Sequence, residues 1–84
     1  MTNTECAKQI TKVARSWASN ANEPDVRKER SLANAYRSDA GQLRAVAALV
    51  RQGRRKVAAR IAERLDTIVR ELIPQKAWDH LQAP

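Results

Sequence analysis

LRAVAALVRQGRRKVAARIAERLDTIVRELI, residues 43–73, is the stretch whose reading decides the fold. Val57, Ile61, Leu65, Ile68 and Leu72 recur at three- and four-residue steps, with Val69 and Ile73 beside them. Extended backward, the stripe takes in Leu43, Val46, Ala47 and Val50. That period belongs to an amphipathic helix and not to a strand. The stripe also passes through Arg54, next to Gly53. A cation in the middle of an apolar face points to a break at Gln52-Gly53, because glycine commonly follows a helix end. Arg54-Arg55-Lys56 argues the other way. It supplies no capping oxygen and sets three cations against the positive end of a helix dipole. The expectation is a long basic C-terminal helix, about 45 Å if unbroken at ~1.5 Å per residue, with a possible break at Gly53.

The rest of the chain reads as helix too. Thr2 and Glu5 fit a capping box. Cys6, Ile10, Val13, Trp17 and Ala21 then form one stripe, with Ala7, Ala14 and Ala18 alongside. The first helix should end within 19–22, where Ser and Asn offer the backbone other hydrogen bonds. Pro24 suits a helix start. A second helix over 24–37 has a weak core face of Val26, Leu32 or Ala33, and Tyr36. Ser38-Asp39-Ala40-Gly41 reads as a joint, with Asp39 and Gln42 able to cap the next helix. Pro74 stops the long helix. Residues 75–82 should make a short final turn that folds Trp78 and Leu81 onto the core. The fold class is all-α, a small three- to four-helix bundle in one domain, residues 1–84. The expected core is Ile10, Val13, Trp17, Leu43, Val46, Val50, Val57, Ile61, Leu65, Ile68 and Leu72.

Size and composition narrow the function. A chain of 84 residues has room for one modest core and none for a cleft between lobes. The single cysteine, Cys6, allows no intrachain disulfide and reads as a small buried thiol. The single histidine, His80, has only Asp79 as a sequence neighbour and reads as an exposed tail residue. A general base needs a partner and a walled pocket. One His and one Cys near opposite ends make a poor metal site. Gly41 and Gly53 cannot build a phosphate loop. Neither enzyme chemistry, nor a cofactor, nor a small-molecule substrate is expected. No apolar run approaches the ~20 residues of a membrane span, and no apolar signal core opens the chain. The sequence reads as cytoplasmic.

Charge is the informative feature. Sixteen basic residues stand against nine acidic ones, a net +7. In 23–42 four cations meet four acids, and Glu23–Arg27 and Asp25–Lys28 stand at helical pairing distances. In 43–64, Arg44, Arg51, Arg54, Arg55, Lys56, Arg60 and Arg64 face Glu63 alone. Unpaired cations repel one another, so an anionic partner is expected there. The planar guanidinium matches phosphate well. No bulky aromatic lies among these cations, so duplex backbone contact fits better than base stacking. Residues 40–51, a turn at 52–53 and a helix from Arg54 also have about the lengths of a helix-turn-helix. The expected function is non-catalytic binding of nucleic acid as a regulator or accessory factor. The alternative is an inhibitor or adaptor that docks on an acidic protein, with Trp78 or Val69 as apolar anchors. A homodimer along 57–73 is expected because three aromatics make a thin core.

Overall fold

The computed structural model describes residues 1–84. It contains α1 (Asn3–Asn20), α2 (Pro24–Lys28), α3 (Arg30–Arg51), α4 (Arg55–Glu63), α5 (Thr67–Leu72) and α6 (Gln75–Gln82). Helix accounts for 81% of the chain and there is no strand, so the fold is all-α. The molecule is elongated, 43 × 20 × 20 Å, because α3 runs most of its length.

α1 starts where the capping box places it: Thr2 Oγ1 accepts the Glu5 backbone N–H at 3.1 Å. α1 and α3 form an antiparallel hairpin. Cys6, Ala7, Ile10 and Ala14 share one buried cluster with Leu43, Val46, Ala47 and Val50. Toward the other end, Trp17 meets Tyr36 edge-to-face at 4.6 Å. α1 with its C-cap carries buried Ala7, Ala14 and Ala21 at seven-residue steps, and α3 carries Ala33, Ala40 and Ala47 in the same way. Each of the six is at most 3% exposed. A methyl group is the smallest side chain that still excludes water, and rows of them let two helix axes approach at the short end of the usual ~8–10 Å range. Ten of the 19 buried residues are alanine, so methyl groups occupy more than half of the buried positions.

Several expectations change. Residues 38–41 are not a joint, since α3 continues through them. Ala40 and Leu43 are buried, and tertiary packing overrides the turn tendency of Ser-Asp-Ala-Gly. Asp39 caps nothing; its carboxylate accepts the Trp17 indole N–H at 3.4 Å. The interruption falls earlier, at Glu29 (φ −98°, ψ 90°), which divides the expected second helix into α2 and the start of α3.

The break at Gly53 is present. Gly53 has φ 79°. Its N–H donates to Val50 O at 3.0 Å, and the Arg54 N–H donates to Leu49 O at 2.9 Å. These two bonds form the Schellman closure of α3. A Cβ at Gly53 would meet nothing within 4 Å. The penalty for Gly53→Ala is therefore conformational, and about 1–2 kcal/mol is expected from the left-handed backbone alone. Urea denaturation of the two proteins measures it.

The long C-terminal helix is not formed, because a second break follows α4. The Arg64 and Leu65 N–H groups donate three residues back, to Ile61 O and Ala62 O, and the chain then turns extended at Asp66 (ψ 146°). The buried face is Ala58, Ala62, Leu65, Val69 and Ile73, with Ala59. The expected stripe is thus rotated by one residue, apart from Leu65. Val57 and Ile61 are half-buried, while Ile68 and Leu72 are 66% and 44% exposed. α6 folds back as expected: Ala77 and Leu81 are buried. The Trp78 indole N–H donates to Arg70 O at 3.1 Å, which ties α6 to α5.

Candidate nucleic-acid interface

Tertiary structure sorts the seven cations of 43–64 into two kinds. Six are exposed: Arg44, Arg51, Arg54, Lys56, Arg60 and Arg64. Lys56 and Arg60 of α4 and Arg64, its C-cap, stand four residues apart on one edge, about 6 Å per step along the axis. Arg51 ends α3 and Arg54 precedes α4, so the Gly53 turn joins the two helices with a cation on each side. The one acid of the stretch does not neutralise them by hydrogen bonding. Glu63 Oε1 accepts from Gln82 Nε2 at 3.0 Å.

Arg55 is the exception and leaves the free set. It is half-buried, and its guanidinium donates to His80 O and to Pro84 O, both at 3.1 Å. It tethers the last helix to the start of α4. Its charge belongs to the fold, which a count along the sequence does not reveal.

The start of α4 has the defect seen in the sequence. Arg54 (φ −95°, ψ 58°) provides no side-chain cap, and no acidic residue occupies the first turn. The helix forms because Ala58, Ala59 and Ala62 bury against their neighbours. These alanines interleave along α4 with the exposed Lys56 and Arg60, so packing holds the charges in place. The helix-turn-helix lengths expected from a first helix over 40–51 are not met, because α3 is a 22-residue helix that begins at Arg30.

His80 is not an exposed tail residue. It is half-buried, and its Nε2 stands 2.6 Å from Asn3 Oδ1, which joins α6 to the first turn of α1. Burial, and next the Arg55 charge, push its pKa below the usual imidazole value. The folded state therefore resists protonation that the unfolded chain accepts. The stabilisation is complete above about pH 6.5 and declines as pH falls below it. Thermal melting should show a lower midpoint at about pH 5 than at about pH 7.5, and His80→Gln should remove much of that difference. Cys6 is fully buried, its Sγ 3.7 Å from Ala77 O, and burial raises the thiol pKa. It is closed to disulfide exchange in the folded chain.

No three His, Cys, Asp or Glu side chains converge as a metal site. No helix is long and apolar enough to cross a membrane. No known family model, curated protein or solved structure matches the chain.

Two features lay outside the sequence reading. Val69 is buried and Trp78 half-buried; the exposed large apolar residues are Ile68 and Leu72 on α5, with Met1 and Leu32 elsewhere. Arg30 and Arg37, counted among balanced charges in 23–42, lie on the same α3 helix as Arg44 and Arg51. Their seven-residue spacing was the available signal.

Proposed function

We propose that this chain binds nucleic acid without catalysis, through the phosphates of a duplex, as a regulator or accessory factor. The observation that carries the reading is the set of six exposed cations of 43–64, which the only acid of the stretch leaves unneutralised. Five of the six are arginine, whose donor fork suits phosphate oxygens. The α4 edge is short and carries no aromatic platform, which favours backbone contact over base stacking. The test is an anisotropy titration with mixed-sequence duplex across a salt series. Engagement of about five cations gives a log–log slope of about −4 to −5. Absence of binding below about 100 µM at near-physiological salt, where even non-specific binding reaches ~10⁻⁴–10⁻⁶ M, overturns the proposal.

A specific observation favours the second reading, docking on an acidic protein. Ile68 and Leu72 are exposed on α5, and Leu72 lines a groove with Val13, Lys12 and Pro74. A protein partner, or a second copy of the chain, would anchor on these apolar groups while the cations steer the encounter. The homodimer expected along 57–73 would have to use this α5 face, because no continuous stripe spans those residues. Sedimentation at high micromolar concentration separates a dimer from a monomer.

A further inference from the structure

α3 runs unbroken from Arg30 to Arg51, and its four basic residues are Arg30, Arg37, Arg44 and Arg51. All four are arginine, all are exposed, and each stands seven residues from the next. Seven residues make nearly two helical turns, so successive rungs shift only about 20° around the axis. The row stays on one edge of the helix, with a rung about every 10.5 Å over a total of about 32 Å. On its inner side lie the buried alanines Ala33, Ala40 and Ala47. On its outer side lie Asn34, Gly41 and Ala48, exposed and small. The only acid within α3, Asp39, is engaged by Trp17. None of the four arginine side chains is among those that hydrogen-bond within the chain.

We propose that this arginine ladder is a track for one turn of duplex nucleic acid, which extends the phosphate-binding surface from 43–64 back to Arg30; the inference rests on the duplex reading above. Three physical arguments select that partner. Rungs ~10.5 Å apart are too far for one phosphate group or one nucleotide to bridge, so the ligand is a polyanion about 30 Å long or more. One duplex turn, ~34 Å, matches the row. A partner helix carrying acids at the same period fits less well. Exposed ion pairs contribute little each, and Asn34, Gly41 and Ala48 offer no apolar seam to bury. A polyanion differs because each neutralised phosphate releases condensed counterion. At its C-terminal end the ladder reaches Arg51, where the Gly53 turn leads to Arg54 and then the α4 edge, so the two rows follow one another along the chain.

The decisive variants lie outside 43–64. Arg30→Gln with Arg37→Gln removes two rungs from exposed positions with a residue that keeps good helix propensity. Arg27→Gln with Lys28→Gln removes two exposed cations from neighbouring α2, off the ladder. Far-UV circular dichroism checks that both pairs keep the wild-type helix content. Anisotropy titration with a mixed-sequence duplex of two turns, between about 0.05 and 0.2 M salt, reads the slope. The ladder predicts that the first pair flattens the slope by about 1.8, at ~0.9 per contact, and the second leaves it within about 0.3. This corresponds to a salt sensitivity over that range about tenfold smaller for the first pair alone. If wild type binds duplex and both pairs behave alike, the ladder is overturned while the α4 surface stands. If wild type binds an acidic helical peptide and no duplex, both proposals fall together.

Discussion

Leu65→Ala is expected to lower stability by about 2–5 kcal/mol, and Leu72→Ala by less than about 0.5 kcal/mol. Both leucines lie on the apolar stripe that the sequence suggests, seven residues apart. Leu65 is 4% exposed at the α4–α5 corner, whereas Leu72 is 44% exposed. Truncating a packed leucine removes transfer free energy and leaves a void; truncating one that keeps 44% of its surface in water removes much less and leaves no enclosed void. Ala14→Leu on the hairpin seam should behave unlike either. It adds apolar volume at a position with no exposed surface, and the strain should cost about 1–3 kcal/mol or more. Urea denaturation with unchanged m-values measures all three. A Leu72→Ala loss comparable to that of Leu65→Ala would mean that α5 packs by its other face.

The second large effect concerns binding. Replacing Arg54, Lys56 and Arg60 together by Ala should flatten the salt slope of duplex binding by about 2.7. With a wild-type slope of about −4.5, affinity falls about 500-fold between 0.05 and 0.2 M salt; for the triple variant the fall is about twelvefold. Loss should be uniform across sequences, because phosphate contacts carry no base information. Folding should be retained, since all three side chains are exposed and their mutual repulsion is relieved. Arg55→Ala should do the reverse. It removes the bonds to His80 O and Pro84 O, so it should lower stability while leaving the slope nearly unchanged. An equal slope in wild type and triple variant would exclude α4 as the contact surface.

The elements most legible in the sequence were those fixed by local chemistry. The Thr2–Glu5 cap, the Gly53 stop and the Pro74 boundary each depend on interactions within a few residues, and each lies where expected. The elements that were misread depend on what a helix meets. Asp39 and Gly41 have turn tendency, but Ala40 and Leu43 beside them are buried against α1, and the helix continues. α4 ends at Glu63 inside an apolar pattern, and beyond the extended Asp66 α5 buries Val69 in place of Ile68, with Ile73 buried after it. The site was legible to a similar degree. Net charge located the excess of cations, but not the loss of Arg55 to the fold. Nor did it locate Arg30 and Arg37, which a supposed joint at 38–41 cut off from Arg44 and Arg51.

By itself the sequence determined an all-helical, basic chain, because helical period, propensity and charge are properties of residues and their near neighbours. Only the tertiary structure decided which face of α4 and α5 is inside; for α1 and the second half of α3 the apolar stripe already marked it. Sequence hydrophobicity favours the largest side chains, Ile68 and Leu72, whereas the fold buries alanines at 7, 14, 21, 33, 40, 47, 58 and 62. The physical reason is that burial depends on how closely backbones approach. Where helices pack near contact distance, a methyl group fills the available space and a leucine does not fit.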